Sequence, residues 1–203
     1  MLNLTTKRTV RHLAHKSFFG ILIGFSIAPM MLSFGQQTAG GLRRFYSKES
    51  KVGFKYPAGW KFQPGDGSVG GDTFSRLATV SIPEKAYPRT NFRDANATLS
   101  VGSISEAACK EFQPDYQSDQ PKPRKVRIGS LAFYTVSGEE GAAGSFYNRR
   151  AYRTFYDGKC YEVSLDLQMG LMAAYDPGTV KKINDKMIFN LLETVVRTLY
   201  FGK

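Results

Sequence analysis

Apolar and polar residues alternate along most of this chain, and the alternation gives way to a helical period only near the end. Alternation sends successive side chains to opposite faces of a strand. It predicts strands over Arg43–Ser47, Val52–Tyr56, Leu77–Ile82 and Ala97–Ile104, with Phe45, Val52, Phe54 and Tyr56 inward in the first pair and Ala97, Leu99 and Val101 in the last. Pro57 and Gly59 interrupt the run ahead of Trp60. Ser105 is placed to cap a short helix reaching Phe112, with Glu106 in the first turn, where the helix dipole favours a carboxylate. A polar, proline-marked surface connection follows from Gln113 to Lys125, and the core pattern resumes at Val126.

The clearest local element is a hairpin of Phe146–Tyr156 and Lys159–Leu167 joined by Asp157-Gly158, a pair suited to a two-residue type I′ turn. That turn sets Tyr156 opposite Lys159. Counting back pairs Thr154 with Tyr161, Tyr152 with Val163 and Arg150 with Leu165 on one face. The other face pairs Phe155 with Cys160, Arg153 with Glu162 and Arg149 with Asp166. Opposite charges meet twice, and a slip by one residue loses both contacts, so turn and charge specify one register. Arg149, Arg153, Glu162 and Asp166 read as solvated ladder pairs rather than a polar site.

Val180, Ile183, Met187, Leu191, Val195 and Leu199 then form a helical stripe, widened by Ile188, Leu192 and Val196. Asp176-Pro177-Gly178 reads as the preceding turn and Thr179 as the cap. Lys181 and Lys182 would occupy the first turn, where the dipole disfavours positive charge. They are the candidate anion-binding pair, because a helix start also offers backbone N–H groups to a phosphate, sulfate or acidic headgroup. Thr198–Phe201 reads as a short closing strand. The whole pattern is α+β, a single domain with a long C-terminal helix.

Residues 1–35 have the parts of a secretory signal: the basic head Lys7, Arg8, Arg11 and Lys16, the apolar stretch Phe18–Phe34, and a small-residue exit at Ser33-Phe34-Gly35, with cleavage expected near Gly35. An uncleaved anchor is the rival reading, at the short edge of spanning length and weakened by Gly20, Gly24 and Pro29. The expected location is therefore periplasmic or extracellular, or tethered by the N-terminal segment. No cysteine stands near the exit, which excludes a lipoprotein anchor. Cleavage leaves residues 36–203 as the domain. It also removes His12 and His15, both histidines of the chain and the commonest kind of general base and metal ligand.

With 28 Lys and Arg against 17 Asp and Glu in the full chain, loss of the four basic leader residues leaves +7. Such a domain favours anionic surfaces, including acidic polymers and lipid headgroups. No nucleic-acid reading motif accompanies the charge. Cys109 and Cys160 are an even pair in an oxidising compartment and are expected to form one disulfide, with two buried thiols as the alternative. Gly65-Asp66-Gly67-Ser68-Val69-Gly70 matches a dinucleotide string but precedes a strand at Thr73–Ile82, not a helix, so it reads as a loop. Glu139-Glu140, between Gly138 and Gly141, reads as an exposed turn. No serine of the domain has a lysine three residues later. Asn96-Ala97-Thr98 fits a glycosylation acceptor. No catalytic, metal-binding or cofactor-binding set emerges.

Phe54-Lys55-Tyr56-Pro57-Ala58-Gly59-Trp60 resembles the aromatic-x-Tyr-Pro-x-x-Trp opening of the PsbP/Mog1-like superfamily, and the order of elements from Arg43 to Phe201 is similar to that family's. The resemblance implies an antiparallel sheet with helices packed on its faces, ending in a helix and a short aromatic strand such as Leu199–Phe201. It also implies a protein-binding role without catalytic residues. The leader and the paired cysteines depart from the photosynthetic branch, so a photosystem role does not carry over. Trp60 reads as a core anchor. The expected function is an exported, non-catalytic module engaging a protein or an anionic envelope component. Two alternatives stand beside it. One is a carrier of a small apolar ligand in a sheet–helix cavity lined by Tyr152, Tyr161, Phe133, Ile183 and Met187. The other is a hydrolase using carboxylates such as Glu162 or Asp166.

Overall fold

Ten strands and two α-helices make up the described part of the chain in a computed structural model that describes residues 41–67, 73–113 and 122–202. Residues 1–35, where a leader with cleavage near Gly35 is expected, lie outside these residues. The strands are β1 (Leu42–Ser47), β2 (Val52–Pro57), β3 (Lys61–Pro64), β4 (Phe74–Ser81), β5 (Phe92–Gly102), β6 (Arg124–Ile128), β7 (Leu131–Ala142), β8 (Ser145–Tyr156), β9 (Lys159–Gly170) and β10 (Tyr200–Phe201). The helices are α1 (Glu106–Lys110) and α2 (Asp185–Arg197). Seven strands form a large sheet in the order β3-β4-β5-β9-β8-β7-β6, and three form a small one, β1-β2-β10. Every paired strand is antiparallel to its neighbour. This is the α+β class the pattern predicts, with β3, β6 and β7 added. Lys61–Pro64 is too short and exposed to show alternation. β7 runs through Gly138 and Gly141, which break it.

The β8–β9 hairpin has the expected register throughout, from Tyr156 opposite Lys159 to Arg149 opposite Asp166. Asp157 and Gly158 both hold the positive φ that a type I′ turn requires. Ala143 and Gly144 do the same between β7 and β8. The turn therefore falls three residues beyond Glu139-Glu140, which sit inside β7 opposite Asn148 and Tyr147 rather than in a turn of their own.

One face of the large sheet is inward. Ala97, Leu99, Val163, Leu165, Leu167 and Phe133 are buried there against Ile188, Phe189, Leu192, Val195 and Val196 of α2 and Val52, Phe54 and Tyr56 of β2. Trp60 joins this core as an anchor. The opposite face is half covered. Ser105 caps α1 by accepting from the Ala108 N–H, and Cys109 bonds to Cys160, closing a disulfide packed with Phe74, Ile104 and Phe155. Beside it the Arg153 guanidinium lies between the Phe74 and Phe112 rings, 4.6 and 4.2 Å from their centroids, while its Nε donates to Glu162 at 2.6 Å. Arg153 and Glu162 thus roof a small apolar layer.

The start of α2 differs from the sequence reading. Asn184, not Thr179, is the cap, accepting from the Met187 N–H at 3.0 Å. Thr179 belongs to the turn and donates its hydroxyl to the Asp176 carbonyl. The intervening chain is held extended by Asn91, which is 3% exposed. The Asn91 amide nitrogen donates to the Gly170 carbonyl at 2.8 Å, its side-chain oxygen accepts from Ile183 N–H at 2.7 Å, and its backbone N–H donates to the Lys181 carbonyl at 3.0 Å. Lys181 N–H in turn donates to Arg89. These bonds are incompatible with helical 181–183, so Lys181 and Lys182 precede the helix instead of lying in its first turn.

Across the sheet–helix seam, Glu193 of α2 accepts from the Tyr152 hydroxyl at 2.9 Å and pairs with Arg150 at 3.2 Å and Arg197 at 2.9 Å. Burial, with the Glu193 carboxylate beside it, pushes the Tyr152 phenol from 10.0 up to about 12.

Asn91→Ala leaves the Ile183 N–H and the Gly170 carbonyl short of a buried partner, and is expected to cost about 2 kcal/mol in urea unfolding. The Cys109→Ala/Cys160→Ala variant releases a loop of 51 residues. Denaturant midpoints should register a loss of about 4 kcal/mol by the chain-entropy account. Because the folded state holds the Tyr152 proton more tightly than the unfolded chain, stability is intact below pH 10 and falls as pH rises towards 12. Tyr87 and Tyr161, also raised by burial, act in the same direction. Thermal unfolding across that range should show Tyr152→Phe removing part of the slope, and an unchanged slope refutes the assignment.

Candidate functional site

The small sheet turns Phe45, Val52, Phe54 and Phe201 toward the core, and this decides what its other face presents. With Phe45 opposite Phe54, the next pairs along the ladder are Arg44 with Lys55 and Tyr46 with Gly53, and Tyr200 of β10 also stands opposite Gly53. Arg44, Tyr46, Lys55 and Tyr200 therefore share the outward face. Between Leu42 and Pro57 the sequence carries five cations and one carboxylate, Glu49.

Like charges directly opposite on neighbouring strands destabilise a sheet. Among the described residues no carboxylate forms an ion pair with Arg44 or Lys55. Arg197 reaches the same place from the end of α2, held by Glu193 and by the Asn190 carbonyl. These three cations, with Thr198 and Tyr200, border an open depression of about 470 Å³. Thr198 fixes its floor, since its hydroxyl oxygen accepts from Lys55 N–H at 3.0 Å.

Beside the cations the Tyr46 and Tyr200 rings lie nearly parallel, 5° apart in plane and 6.0 Å between centroids. Tyr46 is 41% exposed. Gly53 permits this arrangement, because a Cβ there would stand 2.5 Å from the Phe45 carbonyl oxygen and 2.6 Å from the Tyr200 hydroxyl. The face offers flat aromatic surface and positive charge in one patch. This suits a multivalent anion, whose charges the cations neutralise while the rings stack on its flat parts.

The positions singled out in the sequence are scattered. Lys181 and Lys182 are exposed beside the Thr90 bridge, and no other candidate residue joins them. Arg149, Arg153, Glu162 and Asp166 are ladder pairs on the outer face of the large sheet. Gly65 sits tight against Arg76, whose guanidinium binds both oxygens of Asp66; the rest of that glycine loop from 68 lies outside the described residues. Asn96 is within β5 and donates to Asp94 at 3.1 Å. Phe133, Tyr152, Tyr161, Ile183 and Met187 belong to one packed cluster, with the Tyr161 hydroxyl engaged by the Ser50 carbonyl, so these side chains fill the sheet–helix seam. Among the described residues no three His, Cys, Asp or Glu side chains are placed to hold a metal ion. The basic face was legible in principle: once Phe45 and Phe54 are assigned inward, alternation sends Arg44, Tyr46 and Lys55 outward. The convergence of Arg197 and Tyr200 needed the fold.

No protein-family model and no curated protein matches the chain. Among solved structures it is similar to a protein from Bacteroides thetaiotaomicron, at 15% identity and a TM-score of 0.46 over 79% of this chain and 48% of that one. The chain thus spans about half the length of that protein. It is similar to cyanobacterial PsbP (CyanoP) from Synechocystis sp. PCC 6803, at 12% identity and a TM-score of 0.44 over 84% and 98% of the two chains. It is also similar to LpqN of Mycobacterium tuberculosis, involved in cell envelope biogenesis, at 11% identity and a TM-score of 0.39 over 83% and 88%.

Proposed function

We propose that the chain is an exported, non-catalytic binding domain that docks the outward face of its small sheet on an anionic envelope component. The observation that carries this reading is the Arg44–Lys55 cross-strand pair, set opposite in register without a carboxylate partner among the described residues. The sheet bears the repulsion of that pair in isolation, and a bound anion relieves it. The Cys109–Cys160 disulfide supports an oxidising compartment. Among the described residues no helix is long and apolar enough to cross a membrane. Phosphate of a lipid headgroup and carboxylate of an acidic polysaccharide share the required chemistry.

The test uses the full chain and its Arg44→Ala/Lys55→Ala variant, which share the same leader. Co-sedimentation with phosphatidylglycerol vesicles and with polygalacturonate, against phosphatidylcholine vesicles and dextran as neutral controls, separates the two sources. The wild type should bind one of the anionic probes, more weakly at high salt. The variant should bind about tenfold or more weakly, since each surface cation contributes about 1 kcal/mol. The variant should also unfold no earlier than the wild type, because it loses a repulsion. Equal binding by the two proteins refutes the proposal.

A further inference from the structure

A second surface, on the outer face of the large sheet away from the disulfide, has different chemistry. Rows of side chains cross the central strands there. One row runs Asn96, Asp166 and Arg149 from β5 through β9 to β8, and the next runs Asp94, Gln168, Tyr147 and Glu140 from β5 to β7. They line a shallow saddle of about 290 Å³. Bonds along and between rows hold the groups in place: Arg149 Nε to Asp166, the Ser164 hydroxyl to Asp166 at 2.7 Å, and Gln168 Nε2 to the Tyr147 hydroxyl at 3.1 Å. Tyr147 is 38% exposed, the aromatic face of the saddle.

We infer that this saddle binds a neutral, β-linked polysaccharide strand lying across β5, β9, β8 and β7. Three of its groups are carboxylates and one is a guanidinium, so in a chain with an excess of cations this face repels the polyanion that suits the small sheet. The carboxylates are planar and offer two adjacent acceptors, which match neighbouring hydroxyls of a sugar, while Gln168, whose amide N–H groups go to Ser145 and Tyr147, presents its carbonyl oxygen as an acceptor. The Tyr147 ring offers a flat surface for the C–H face of a pyranose, with its hydroxyl kept wet. Neighbouring strands stand about 4.8 Å apart, close to the repeat of one pyranose in an extended β-linked chain, so each row presents one polar group per sugar. The large sheet is rigid here, β9 being paired over its length with β5 and β8, so little ordering cost falls on binding.

The test titrates the full chain with cellohexaose and chitohexaose by calorimetry. At least one should bind saturably. Tyr147→Ala and Gln168→Ala should each weaken it about tenfold, the loss that corresponds to about 1.4 kcal/mol, with melting temperatures unchanged. Tyr147→Phe should retain most of the affinity through its ring. Arg44→Ala/Lys55→Ala should leave it untouched, which keeps this result independent of docking by the small sheet. Absence of binding by both oligosaccharides overturns the inference, as does binding that survives Tyr147→Ala and Gln168→Ala. A dimer in sedimentation that Tyr147→Ala dissociates also overturns it, by assigning the face to self-association.

Discussion

Asn91 stands where the beginning of β5, the end of β9 and the approach to α2 converge, and its bonds join all three. A buried amide left unpaired is costly, so each segment must arrive in the conformation that satisfies it. The Gly170 carbonyl ends β9 on the Asn91 side chain, and the Ile183 N–H holds the chain extended until Asn184 can cap the helix. The length of α2 follows. Its five buried residues then meet β9, β2 and β5, and the helix delivers Arg197 and Thr198 to the edge of the small sheet. The shape of the basic face thus depends on a bond formed at the other end of the helix.

The two sheets are joined through a few specific contacts around β10. Phe201 stacks on Tyr156 at 4.0 Å and meets Tyr161 edge-on, while the Tyr161 hydroxyl donates to the Ser50 carbonyl in the β1–β2 turn. Apolar burial supplies the bulk attraction, and these directional contacts select the relative placement. The inward faces are used up in this packing. What remains exposed is much of the outward face of each sheet, supported by its ladder.

Those two faces differ in charge for structural reasons. On the central strands β8 and β9 the outer face of the large sheet carries its cations in ladder pairs, Arg149 with Asp166 and Arg153 with Glu162, and the second pair is absorbed into the roof over the disulfide. The small sheet has two long strands and a single carboxylate in its turn, and among the described residues no carboxylate forms an ion pair with the facing Arg44 and Lys55. One chain therefore presents an electropositive aromatic face and, elsewhere, a mixed polar saddle. The proposed ligands differ accordingly, an anion for the first face and a neutral sugar strand for the second.

The β8–β9 register was readable from residues alone because everything that sets it is local: a two-residue turn demanding positive φ, followed by charges paired at short range. The inward residues of β1, β2 and β5, and the apolar stripe of α2, were legible for the same reason, since period is a property of neighbours. The start of α2 was not, because Thr179 and Asn184 are both acceptable caps and the choice fell to Asn91, 92 residues before the Ile183 N–H it accepts. Nor could Glu139-Glu140 be placed between flanking glycines until β8 supplied a partner strand. Sequence by itself determined which residues are apolar, how they alternate and where tight turns close. Tertiary structure alone decided which strands are neighbours and which cations meet, because those depend on free energies shared between segments far apart in the chain.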